Sequence, residues 1–181
     1  MTDGDPGRFE LLSRLLCYPD LSYRVHLARS AGSLADSEPD AARLLNCFAE
    51  ATRDLSTARL QELFTQTFDL NPVCSLEVGW HLFGEEYARG TFLVSMRGLL
   101  RDNGLQENSE LPDHLTNLLP LLDRLEEKER NYFIEKYLSP AIAKMLAPFE
   151  EKKSPYEDVM RALVQLIENA RNKKPAEVAH G

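Results

Sequence analysis

Between Phe64 and Leu115 the chain gathers residue types that a plain helical scaffold does not require, in the runs FTQTFDL, SLEVGWHLFGEEYARG and ELPDHL. Metal binding is the first chemistry to weigh, since His81, His114, Asp69, Asp113, Glu77 and Glu85 could each supply a ligand. Their spacing argues against it. Di-metal sites in helical bundles draw a Glu-x-x-His pair from each of two helices, and this stretch contains none. Acid-base catalysis is the second, because Asp113 beside His114 resembles an orienting carboxylate and a base. Adjacency on a helix, however, turns two side chains apart, so Asp113 reads better as a helix-start residue after Pro112. With no nucleophile motif, phosphate-cradling glycine loop or dinucleotide fingerprint, neither an enzyme nor a bound cofactor is expected. The third chemistry is partner binding, with Phe68, Trp80, Phe83 and Tyr87 as aromatic anchors inside an acidic rim.

The elements that must position these residues read as helices throughout, because apolar residues recur at three and four positions and no run alternates long enough for a strand. Phe9 to Leu16 gives a short helix that Pro19 stops. A second carries Leu21, Val25 and Ala28 and fades at Gly32. Ser37-Glu38-Pro39-Asp40 starts a third, with Ala41, Leu44, Leu45, Phe48 and Leu55 inward. Ser56 caps a fourth, bearing Leu60, Leu63, Phe64, Thr67 and Phe68, and Asn71-Pro72 ends it. Ser75 to Phe83 is apolar almost all round and reads as a helix buried mid-bundle, broken by Gly84. The pattern resumes from Glu85 and stops at Asn103-Gly104. Pro112-Asp113 starts a leucine-rich helix over Leu115, Leu118, Leu119, Leu122 and Leu125. Ser139-Pro140 kinks the next, and Ser154-Pro155-Tyr156-Glu157 is a capping box for the last, which buries Val159, Leu163, Leu166, Ile167 and Ala170. The expected fold is all-α, one irregular helical bundle over residues 1–172, with a polar lead-in over 1–7 and a disordered tail over 173–181.

Composition bounds the partners. The chain has 181 residues, 43% hydrophobic and 28% charged, enough for one domain with a sizeable core. A net charge of -8 disfavours nucleic acid and anionic membranes and favours a basic partner. Cys17, Cys47 and Cys74 contain no CxxC and read as small core hydrophobes in a reducing, cytoplasmic setting. No signal peptide or membrane span is expected.

FDLNPVCSLEVGWHLFGEEYARG followed by ELPDHL, with SPYEDVMRAL near the end, resembles the NarJ branch of the TorD/DmsD/NarJ family of molybdoenzyme maturation chaperones. Members carry a similar Phe-Asp, a Ser-Leu helix ending in His-x-x-Gly-Glu, an Arg-Gly pair and Pro-Asp-His-Leu. One departure stands out. Many nitrate-reductase members follow that last motif with a second proline, whereas Thr116 follows Leu115 here, so clients such as ethylbenzene or dimethylsulfide dehydrogenase stay open.

The resemblance implies an all-α chaperone that binds the N-terminal segment of an apo molybdoenzyme catalytic subunit until iron-sulfur cluster and molybdenum cofactor are inserted. A helical adaptor that stays as a permanent subunit is the rival, and self-association through an exchanged helix is open to such bundles. On this reading Trp80, Phe83 and Tyr87 wall a groove, Phe68 is a further client-binding anchor, and Asp69, Glu85, Glu86 and Asp113 rim it. His81 and His114 shape it by hydrogen bonds, and Arg89 makes a structural or client-facing ion pair. Gly84 and Gly90 allow a bend or close helix approach, with Pro112 and Leu115 completing the motif.

Overall fold

Each helix start in the chain needs partners for backbone N–H groups that have none within the helix, and those partners explain much of how the fold is tied together. The computed structural model describes residues 6–172; most of the expected lead-in, over 1–5, and the expected tail, over 173–181, lie outside them. The architecture is all-α, with no strand among the described residues. The chain runs α1 (Arg8–Ser13), α2 (Tyr23–Leu34), α3 (Pro39–Ala51), α4 (Thr57–Phe64), α5 (Val78–Phe83), α6 (Tyr87–Asp102), α7 (Leu115–Leu122), α8 (Glu127–Phe133), α9 (Ser139–Leu146) and α10 (Tyr156–Asn172).

At the centre lies α7, in which Leu115, Leu118, Leu119, Leu121 and Leu122 are all fully buried. Full burial of such a side chain contributes about 1.5–3 kcal/mol, so this short helix is a main anchor of the core. Its flanks also hold two other helix starts. Asp123 accepts the Glu10 N–H at 2.8 Å and the Phe9 N–H at 3.4 Å, capping α1. Asp113 accepts the Gly79 N–H at 2.8 Å, capping α5. Glu38, at the start of α3, is buried and bonds Arg8 and Asn169 at 2.6 Å each, joining α1, α3 and α10.

Two aromatic clusters fill the space on either side. Phe48, Phe64 and Phe68 surround Tyr156 with ring centroids 4.9 to 5.6 Å away, which seats α10 against α3 and α4. Phe92 lies between Phe83 at 5.3 Å and Tyr137 at 5.1 Å, and Phe133 completes that cluster. A π-helical turn follows α4 at Thr65–Asp69 and another joins α8 to α9 at Ile134–Leu138, where Pro140 cannot donate its backbone hydrogen bond.

Several local expectations are revised. The expected inward face of α2 points outward, since Leu21 and Val25 are exposed while Tyr23, Leu27, Ala31 and Leu34 are buried; the helix also passes through Gly32 without ending. Ser75 to Phe83 is not one buried helix. Ser75–Glu77 is extended and bridges the Asp113–His114 backbone, and only Val78–Phe83 is helical, with Trp80 to Phe83 half-exposed. Nor does Asp113 begin α7, which starts at Leu115 with His114 as its cap. Ser37 does not cap α3. Ser154 accepts weakly from the Tyr156 N–H at 3.4 Å, but Glu157 pairs with Arg161 and does not close a capping box. Of the cysteines only Cys74 is buried; Cys17 and Cys47 are exposed.

Candidate functional site

The three motif runs converge where the chain leaves α4, enters α5 and approaches α7. Val78 N–H donates to the Asp113 carbonyl at 3.0 Å and Leu115 N–H to the Leu76 carbonyl at 2.9 Å, so ELPDHL is laced antiparallel to SLE. In such extended backbone successive side chains point to opposite faces. Asp113 therefore turns inward and His114 turns to the cleft formed on the other side.

That cleft consists of two hollows. One, of about 480 Å³, is lined by Phe68, Asp69, Pro72, Glu77, Trp80 and Arg89 among others. The second, of about 400 Å³, adds Cys17, Tyr18, Phe64 and Asn108. Asp69, Glu110 and His114 line both and form the wall they share. Tyr18, a large side chain left exposed, lines the second hollow, and the exposed Leu70, Val73 and Leu111 are chain neighbours of the lining residues Asp69, Pro72 and Glu110. A wider open hollow along α3 presents Arg43, Asn46, Cys47 and Glu50, all from one helix, and no convergent set of motif residues.

Charge in the cleft is mostly negative. Asp69 accepts a hydrogen bond from Thr65 at 3.0 Å, and neither Asp69 nor Glu110 has a cationic partner within ion-pair distance among the described residues. Glu77 is different, because Arg89 reaches it at 2.9 Å. The same guanidinium lies 5.5 Å from the centre of the Trp80 ring, a cation-π contact. Trp80 is itself fixed by its indole N–H, which donates to the Pro72 carbonyl at 2.9 Å.

His114 is tied to Thr116, whose backbone N–H lies 3.3 Å from Nδ1 and whose hydroxyl lies 2.7 Å from it. Asn108 donates to that hydroxyl at 2.9 Å. With the Thr116 N–H donating to Nδ1, that nitrogen is an acceptor and the neutral ring carries its proton on Nε2. Burial lowers the His114 pKa to about 4, so the ring is neutral at neutral pH. A proline at position 116 would lack the N–H that Nδ1 accepts, which gives Thr116 a local structural role. His81 also has a lowered pKa, chiefly from burial; its Nε2 lies 2.7 Å from the Ser75 carbonyl, and its own carbonyl accepts from Lys144.

The expected site residues divide into two groups. Asp69, Trp80, Arg89 and His114 come together in the cleft, with Phe68 at its floor, almost wholly buried against Tyr156. Others are elsewhere. Asp113 is 0% exposed and cannot serve as a rim carboxylate. Burial raises its pKa, and the charged form is held by the Gly79 N–H. Phe83 packs on Phe92 in the second aromatic cluster, and His81 braces Ser75. Glu85, Glu86 and Tyr87 lie exposed around the start of α6 and do not line the cleft; Tyr87 is 93% exposed. Gly84 makes the bend at φ 57°, whereas Gly90 meets nothing that an added Cβ would touch. Pro112 and Leu115 are buried structural members of the motif.

Sequence reasoning did not single out Glu110 or Gly79 and weighed Glu77 only as a metal ligand. Glu110 sits in a polar loop with no periodic signal. Gly79 hides in an apolar helix, yet a Cβ there would stand 2.6 Å from Asp113 Oδ2 and 3.0 Å from Phe92.

A family model described as nitrate reductase delta subunit matches residues 33–168, which span the whole cleft except its Leu16, Cys17 and Tyr18 edge. The chain belongs to the nitrate reductase delta subunit family. Membership implies a role in molybdoenzyme maturation and an interaction with a molybdoenzyme catalytic subunit. No curated protein matches the chain. No helix among the described residues is long and apolar enough to cross a membrane.

Proposed function

We propose that this delta-family protein is a non-catalytic assembly chaperone of the cytoplasm whose Asp69–Glu110–His114 cleft docks the N-terminal segment of an apo molybdoenzyme catalytic subunit. It holds that subunit until the iron-sulfur cluster and molybdenum cofactor are in place. Respiratory nitrate reductase, or a related type II enzyme, is the client. The observation that carries this reading is the pairing of carboxylates that have no cationic partner among the described residues, Asp69 and Glu110, with the aromatic and apolar lining of one cleft.

An amphipathic helical segment suits such a surface, because its apolar face can lie in the groove while its basic residues meet the rim. Exposed ion pairs are each worth about 0–1 kcal/mol. The carboxylates therefore set orientation and on-rate, and the apolar contacts set most of the affinity. Thr116 is accounted for by the His114 network, so its departure from the double-proline pattern does not by itself exclude nitrate reductase.

Titrating the N-terminal peptide of a candidate catalytic subunit into wild type and Glu110→Lys tests the proposal. Binding should weaken about threefold to tenfold in the variant, from loss of one attraction and gain of one repulsion, and more at low salt than at high. Equal affinity in a folded Glu110→Lys protein would count against the cleft. Affinity capture separates chaperone from permanent subunit, since a chaperone is found on the apo subunit and is absent from the finished enzyme.

A further inference from the structure

The Arg89 side chain pairs with one carboxylate, Glu77, and shares a neighbour, Gly79, with a second, Asp113. It is paired with Glu77 at the cleft wall and stacked on Trp80, yet its Nε is buried with no hydrogen-bond partner. Asp113, fully buried, uses Oδ2 to cap α5 and leaves Oδ1 without a partner. A buried polar atom without a partner is costly, and native structures hold few of them. Here an unused donor and an unused acceptor occur on neighbouring side chains. The point where a Gly79 Cβ would stand is 3.5 Å from Arg89 Cγ and 2.6 Å from Asp113 Oδ2, so both side chains crowd the same glycine.

We propose that Arg89 is a built-in stand-in for a cation of the partner. In the free protein it occupies the Glu77 carboxylate and the Trp80 face; a partner's arginine takes that place, and Arg89 turns inward to the unused Oδ1 of Asp113. The exchange rests on the docking reading above and deepens it, because it assigns to the cleft a subsite for one basic side chain of the docked segment. Arginine fits better than lysine, since a planar guanidinium can pair with a carboxylate and stack on an indole at once. The buried Arg89–Asp113 pair formed in the bound state satisfies two groups that the free state leaves unsatisfied, which offsets part of the cost of breaking the Glu77 pair.

Trp80 is the only tryptophan in the chain, so its emission reports this subsite alone. The test uses two amphipathic peptides of about 15 residues, long enough for marginal helicity, identical except that one arginine is replaced by uncharged citrulline. Calorimetry gives the affinities and Trp80 fluorescence follows the subsite. Wild type should prefer the arginine peptide about threefold to tenfold, and only that peptide should alter the Trp80 emission strongly. Arg89→Met, which removes the stand-in, should bind the arginine peptide more tightly and prefer it over the citrulline peptide by a larger ratio than wild type does. Asp113→Asn keeps an acceptor for Gly79 but removes the inward ion pair, so it should lose the preference. A loss of arginine-peptide affinity in folded Arg89→Met would overturn the exchange even if Asp113→Asn proved unstable. Equal binding of the two peptides by wild type overturns the exchange and leaves docking standing. Binding of neither overturns docking, and the exchange with it.

Discussion

Asp113 acts on the cleft without entering it. Its carboxylate and backbone carbonyl hold the first two N–H groups of α5, and that helix carries Trp80. Asp113→Ala should destabilise the protein by about 1–3 kcal/mol, the cost of a buried donor left unpaired. Asp113→Asn keeps an acceptor and relieves a buried charge, so urea denaturation should place it close to wild type. His114 gives a pH signature. Its folded pKa is about 4 against an ordinary 6.5, so between these values the unfolded chain binds a proton that the folded protein does not. Stability from this group is present above pH 6.5, falls as pH drops through the window and is fully lost below about 4. His81 acts in the same direction. The raised pKa values of Asp113 and Asp123 act oppositely: their contribution is present below the ordinary carboxylate value and lost as pH rises. His114→Asn, whose amide oxygen can replace Nδ1 as acceptor, should flatten the loss of stability from pH 6.5 to 5 in thermal melts.

At the scale of elements, the apolar periodicity of α7 and α10 was sufficient to place them and their buried faces, because each packs on a core over most of its length. The α2 face was misplaced since Leu21 and Val25 lie at its exposed start, and the inward face begins two positions along at Tyr23 and Leu27 and continues through Ala31 and Leu34. The junction of Ser75–Glu77 with Asp113–His114 could not be read from either segment, because a backbone bridge over more than thirty residues leaves no local pattern. For the same reason the motif residues were legible but their arrangement was not: adjacency suggested helix for Asp113 and His114, and extended pairing sends one inward and one outward. The glycines make a sharper test. Gly84 holds φ 57° and ψ -131° at the end of α5, a conformation costly to an L-residue, so Gly84→Ala should lose about 1–3 kcal/mol. Gly90 is exposed inside α6 with open space around it, and Gly90→Ala should gain about 0.5–1 kcal/mol from helix propensity. Paired denaturant titrations check both signs.

For the whole molecule, the acidic balance, the all-helical fold and the convergence of three motif runs on one cleft support the proposal of a protein that grips a basic, amphipathic segment and does no chemistry on it. Family membership supplies the class of partner, and the cleft is the proposed place. Hydrogen exchange of the full chain, with and without the catalytic subunit's N-terminal peptide, tests this most directly. The account predicts slowed exchange at Phe68–Trp80 and Asn108–Thr116, with the α3 hollow unchanged. Protection confined to α3, or to the exposed start of α6 around Tyr87, would contradict it.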